Sequence, residues 1–175
     1  MNTENKTCAV CGKSNPLFGE CCNDECFTKY AFYAIDNLAA KQDELPNDCS
    51  DVIHLIGFGL RSSFVDIEKF TKECLHNPVY AFRWADKVIL ESHKFEIYRL
   101  LIYQINRLEV VDRSSLAALI SSVVDDLQVQ LNRASFIEYS TSPISNLTQL
   151  KKGEVASRIV DEFNRYVERL SKQSS

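Results

Sequence analysis

Cysteines are the residues of this chain best able to do chemistry, and five of the seven lie within the first 26 residues. Cys8 and Cys11 form a C-x2-C pair, Cys22 and Cys26 form a C-x3-C pair, and ten residues separate the two pairs. Two thiolates at such spacings can face one ion, and four complete a tetrahedral site with Zn–S distances of about 2.3 Å. The pattern therefore predicts a structural Zn²⁺ site.

The residues around these cysteines favour a knuckle followed by a helix. Gly12 follows the second thiol directly and can adopt a positive φ that turns backbone N–H groups toward the sulfurs. Asn23 and Asp24 are good N-cap residues, which predicts a helix whose first turn carries the second cysteine pair. A disulfide or thiol-redox cluster is the alternative. Zinc is favoured because no export signal is expected at the chain start, and cysteines stay reduced in the cytosol.

This layout resembles the short treble-clef zinc fingers of the FCS, MYM and TRASH type. In those fingers a C-x2-C-G-K knuckle precedes an F-C-S-x-x-C segment, with an aromatic residue about four positions later. Here Tyr30 supplies the aromatic, and the resemblance covers roughly the first 35 residues. It implies the ligands Cys8, Cys11, Cys22 and Cys26. Cys21 replaces the usual aromatic and stays an alternative to Cys22 as a ligand. Such fingers bind proteins in some families and metals or nucleic acids in others.

Composition favours helices for the rest of the chain. The 175 residues include only 5 glycines and 4 prolines, with 45% hydrophobic and 25% charged residues. We predict a mainly α protein, with an N-terminal treble-clef-like zinc finger followed by a bundle of five or six helices. A polar break at 42–48, containing Pro46, predicts a division into residues 1–45, the finger and its helix, and residues 46–175, the helical domain.

Apolar periodicity and capping residues predict the helix boundaries. A first helix is expected from Asn23 to about Gln42, and Ser50 and Ser92 are expected to cap later helices. Gly57 and Gly59 predict either a kink or close helix packing. The clearest amphipathic helix follows a capping turn at 112–115, a loop is expected at 140–146, and a final helix precedes a polar tail.

Four aromatic residues near the finger exceed what its own core needs. They predict either a binding surface or docking of the finger onto the helical domain. These residues are Phe18, Tyr30, Phe32 and Tyr33.

No catalytic residues are predicted. His54, His76 and His93 belong to no recognisable catalytic motif, and each is expected to be packed or solvated. Asp125 and Asp126 are adjacent on a helix and point about 100° apart, so a solvated face is expected instead of a carboxylate pair. An enzyme with an unrecognised site in the helical domain remains an alternative.

A second alternative is a DNA-binding transcription regulator. Residues 94–153 resemble the winged helix of bacterial MarR-type regulators, which implies a β-hairpin wing around Phe136–Leu150 and a dimer. The turn before the proposed recognition helix is about four residues shorter than in that family. Asp125 and Asp126 on the reading face would repel phosphates. The formal net charge of −4 also disfavours nucleic acid as a partner.

The sequence as a whole favours a zinc-stabilised, non-enzymatic interaction or regulatory protein of the cytoplasm that binds a protein partner. No apolar run reaches the ~18–20 residues of a membrane helix, so no membrane association is expected.

Overall fold

The structure is a computed structural model that describes residues 7–13, 20–137 and 143–172. This part of the chain holds five α-helices and no strand, which confirms the mainly α prediction and the helix number. Short 3-10 turns lie at Gln42–Glu44 and Pro78–Tyr80. The helices are α1 Asp24–Ala40, α2 Asn47–His76, α3 Ala81–Ile105, α4 Arg113–Ile137 and α5 Pro143–Ser171.

The helices form two antiparallel hairpins. α2 packs mainly against α3, and α4 mainly against α5, while α1 lies against α2 and α3. One apolar core joins all five, because the apolar stripe of each helix faces it. Fully buried members from different helices are Ala31, Ile56, Leu101, Ile120 and Phe163.

Two glycines set how closely α2 approaches its neighbours. A Cβ added at Gly57 would lie 2.6 Å from Ile35 Cγ1 of α1, and one added at Gly59 would lie 2.4 Å from Tyr98 Cζ of α3. α2 runs unbroken through both positions, so close packing, not a kink, explains them.

The partly buried carboxylate of Glu162 links α3 to α5 beside this contact. Tyr98 donates a hydrogen bond of 2.8 Å to Glu162 Oε1, and Tyr166 donates to the same oxygen. Burial, and after it the negative charge of Glu162, raises the pKa of Tyr98. Both phenols therefore stay protonated as donors and fix the register of α5 on α3.

Three predicted boundaries are wrong. Ser50 lies inside α2, which begins at Asn47 because Cys49 and Val52 extend the buried stripe toward the N-terminus. Ser92 lies inside an unbroken α3, where Leu90 and Phe95 on either side pack against the core. The loop expected at 140–146 is helical from Pro143, a residue suited to a first helical position; residues 138–142 lie outside the described ranges.

Other predicted boundaries are confirmed. α1 begins after Asn23 and ends two residues before the expected limit. The turn before α4 carries the predicted caps: Ser115 N donates to Asp112 Oδ1 at 2.7 Å, and Asp112 N donates to Ser115 Oγ at 3.0 Å. The Ser115 amide also holds the pKa of Asp112 below its usual range.

The predicted wing is wrong wherever the structure describes it. Residues 136–137 end α4 and residues 143–150 begin α5, so both stretches are helical. A hairpin over Phe136–Leu150 needs extended backbone on both sides of its turn. The helix from Arg113 to Ile137 is the plain amphipathic helix that the apolar periodicity predicts.

The distal half of the α2–α3 hairpin extends beyond the shared core. It carries exposed apolar side chains at Val65, Leu75, Val79 and Ile89. The exposed fractions of Leu75 and Val79 are 76% and 77%.

None of the helices in the described ranges has an apolar stretch long enough to cross a membrane. The division into residues 1–45 and 46–175 stays a prediction.

Candidate metal centre

The first cysteine pair lies on a tight backbone turn. Gly12 N donates to Cys8 O at 2.9 Å, and Cys8 N donates to Lys13 O at 2.8 Å. Gly12 has φ +73°, as predicted, which closes the turn without the strain that a side chain would add. A hydrogen bond of 2.8 Å from Ala9 N to Glu20 O joins this turn to the second cysteine pair.

The second pair is positioned by the start of α1. Asn23 caps the helix, and its side-chain oxygen accepts a 2.8 Å hydrogen bond from Cys26 N. This cap fixes the first turn, with Cys22 just before the cap and Cys26 inside the turn. Asp24 and Glu25 add negative charge to the same turn, where the helix dipole favours it.

The sulfur atoms of both pairs converge. Those of Cys8, Cys11, Cys22 and Cys26 all lie within 4.8 Å of one another. The Cys11–Cys22 sulfur distance is 3.4 Å, and the Cys22–Cys26 distance is 3.7 Å. Four thiolates at about 2.3 Å from a central zinc ion would be separated by about 3.8 Å, so the donor set fits a tetrahedral ion. These separations far exceed an S–S bond of about 2.05 Å, and all four cysteines are free.

Cys22, not Cys21, belongs to this group. Cys21 is fully buried in a small core with Cys8, Cys26 and Phe27. Burial, and after it the nearby Cys8, raises the pKa of the Cys21 thiol to about 11. Cys21 is thus a protonated packing residue of the finger.

Hydrogen bonding and burial shift the pKa values of Cys8 and Cys26 in opposite directions. Burial works to raise the pKa of Cys8, but amides of Cys11, Val10 and Cys22 donate to its sulfur and lower the pKa to about 6. Burial, then the hydrogen bond to Cys22, raises the pKa of Cys26 to about 12. A cation at the centre of the cluster would replace these protons, because zinc binds thiolates.

A buried arginine joins the finger to α3. Arg99, 5% exposed, donates from Nη1 to Asp24 Oδ1 at 2.6 Å and Thr28 Oγ1 at 3.0 Å, and from Nη2 to Glu96. Its guanidinium also lies 4.7 Å from the centroid of the Phe27 ring. Sequence reasoning missed Arg99, because no local pattern links it to Asp24 and Thr28, which lie 75 and 71 positions earlier in the chain.

The aromatic residues near the finger divide between docking and exposure. Tyr30 accepts a hydrogen bond of 2.7 Å from Asn106, and its ring lies 5.6 Å from that of Tyr103. Phe32 contacts Phe64 of α2 at 5.3 Å between ring centroids. The docking prediction is confirmed for these two residues. Tyr33 is 61% exposed, and Phe18 lies outside the described residues.

The remaining candidate residues lie apart from the cysteine cluster. His54 and His76 are exposed on α2, and His93 is exposed on α3. Asp125 and Asp126 are exposed on α4, which confirms the predicted solvated face.

Comparisons with known proteins give no relative of this chain. No protein-family model, curated protein or solved structure matches it. The geometry of the cysteine cluster and its supporting helix is therefore the basis for a functional assignment.

Proposed function

We propose that Cys8, Cys11, Cys22 and Cys26 bind one structural zinc ion in a treble-clef finger of the FCS, MYM and TRASH type. The observation that carries this proposal is the convergence of four sulfur atoms within 4.8 Å of one another. The knuckle at Gly12 and the capped helix at Asn23 support the finger type. Zinc suits a site made only of thiolates, and a four-thiolate site keeps no coordination position for a substrate.

Within this proposal the metal organises a surface and performs no chemistry. The protein is a non-enzymatic interaction or regulatory protein that binds a protein partner in the cytoplasm. Support comes from Leu75 and Val79 at the tip of the α2–α3 hairpin, which expose most of their apolar surface. Contact with a partner would remove this surface from water and would stabilise the complex by about 25 cal/mol per Å² of apolar surface buried. Free thiols throughout the described chain suit a reducing compartment.

The zinc content of the wild type and of two variants at neighbouring cysteines tests the metal assignment. Protein purified under reducing conditions is expected to hold one zinc per chain, measured by plasma mass spectrometry. Cys22→Ser should lose the zinc, because a serine hydroxyl is a poor replacement for a thiolate. Cys21→Ser is the matched control and should keep one zinc. Equal zinc in both variants, or none in the wild type, would refute the assignment.

Cross-linking in cells that express the protein tests the partner assignment. A photo-reactive residue at position 76 is expected to form a cross-link to another protein. Leu75→Glu with Val79→Glu should remove the cross-link, because charge opposes burial of the contact. Ala118→Glu, at an exposed position of α4, is the control and should keep the cross-link. Loss in all variants alike would show that the hairpin tip is not the contact.

A further inference from the structure

A groove separates the C-terminal half of α1 from the N-terminal half of α2. We name it the α1–α2 groove, and its volume is about 220 Å³. A cavity of about 150 Å³ is enough to hold benzene. The groove therefore has room for a six-membered ring with a short substituent.

The floor of the groove is apolar and preformed. Ile35 and Leu38 of α1 and Ile53 of α2 form it, and all three belong to the main core. Gly57 lies beside them and fixes the distance between the helices, because a side chain there would collide with Ile35. A ligand would find this floor already shaped, so binding requires little ordering of the protein.

The rim of the groove is polar and has no acidic residue among the residues that line it. Arg61 and His54 lie on this rim next to Phe58, which is 66% exposed. The Arg61 side chain is half-exposed and donates to Asp36, which lies outside the lining. The lining of the groove thus offers a guanidinium and an imidazole to a ligand and no carboxylate.

The ion pair with Asp36 shows that the Arg61 guanidinium can hold a carboxylate at the rim. Asp36 accepts a hydrogen bond from Arg61 Nη2. A guanidinium carries five N–H donors in a planar fork, which suits carboxylates in particular. A ligand carboxylate would therefore share the donors of Arg61 with Asp36, and the negative charge of Asp36 would weaken its binding.

We propose that the α1–α2 groove binds a small carboxylate with an apolar aryl or alkyl body. The body lies on the Ile35–Leu38–Ile53 floor against Phe58, and the carboxylate pairs with Arg61 at the rim. This site is separate from the proposed zinc site, so either proposal can fail without the other.

The first test uses 3-phenylpropanoate as a probe of the zinc-loaded full chain. Titration followed by amide NMR is expected to shift the signals of Ile35, Ile53 and Gly57. The neutral probe 3-phenylpropanamide should bind about fivefold more weakly, because it loses the charge-assisted hydrogen bond. No shift at these amides would overturn the site, and equal binding of the amide would overturn the carboxylate assignment.

Two variants of one ion pair test the role of Arg61. Arg61→Gln should weaken binding of 3-phenylpropanoate about fivefold, whereas Asp36→Asn should strengthen it about threefold by removing the competing charge. Both changes break the same ion pair, so a purely structural effect would move both affinities in one direction. That outcome would overturn the pairing of the ligand with Arg61.

Tryptophan substitutions at two neighbouring positions test whether the ligand binds in the α1–α2 groove. Ala39 lines the groove and Ala40 does not, and both are exposed. Ala39→Trp should abolish binding by filling the groove, and Ala40→Trp should leave it unchanged. Circular dichroism would verify that both variants fold. Wild-type affinity in Ala39→Trp would overturn the assignment to the groove.

Discussion

Removing the proposed zinc ion with a chelator under reducing conditions is expected to open residues 7–13 and 20–26 while leaving α2 to α5 folded. This N-terminal segment has little apolar core of its own: among its described residues the buried side chains are Cys8, Cys21, Cys26 and Phe27, three of which are cysteines. Without an ion only weak S–H···S contacts hold the clustered thiols together, so the turn at Gly12 and the cap at Asn23 lose their main support.

The opening is expected to stop inside α1. Phe27 and Tyr30 contact Tyr103 of α3, with ring centroids 5.4 and 5.6 Å apart, and α1 beyond them belongs to the main core. Hydrogen exchange followed by mass spectrometry should show lost protection at residues 7–13 and 20–26 and kept protection in α1 from Ala31 to Ala40. These contacts do not depend on the metal, so α1 is expected to stay packed on α3 after its removal.

A cysteine variant provides the control for chelation. Cys26→Ser should reproduce the exchange pattern of the chelated protein without any chelator. Cys74→Ser should behave like the wild type, since Cys74 lies at the far end of α2 and its thiol donates to Ala81 O. Unchanged protection of residues 7–13 and 20–26 after verified metal loss would contradict the proposed structural role of zinc.

Phe163→Ala is expected to destabilise the helical core by about 3–5 kcal/mol, because it deletes a fully buried aromatic ring. The ring lies between two tyrosines, with centroids 5.8 Å from both Tyr98 and Tyr166. Its loss leaves a cavity beside the two phenols that donate to Glu162. The midpoint of thermal unfolding should fall by roughly 6–20 °C, measured by circular dichroism on the zinc-loaded protein.

Phe58→Ala is the matched control for this substitution. It deletes the same ring from a position that is 66% exposed, and the stability should change by about 0.5 kcal/mol or less. Equal losses in the two variants would contradict the assignment of Phe163 to the core.

Sequence alone predicted the cysteine cluster with its turn and cap, because these signals act over a few residues. The spacing of the cysteines predicted the group of four, Gly12 predicted the positive φ, and Asn23 predicted the cap that receives Cys26 N. Ligand spacing and capping are local geometry, so they depend little on the remainder of the chain.

Local signals were insufficient where packing competed with them. Ser50 and Ser92 have the side chains of helix caps, yet both lie inside helices. Burial of apolar residues on either side outweighs a cap, which contributes about 1 kcal/mol. Pro143 was a usable signal for the start of α5, but the surrounding serines and threonine indicated a loop.

Only the tertiary structure decided how the finger and helices fit together. Arg99 meets Asp24 across 75 residues, and Tyr98 meets Glu162 across 64. The α1–α2 groove likewise needs the floor of one helix and the rim of another. No local pattern encodes such pairs, because they form only when separate apolar stripes are buried against one another in a common core.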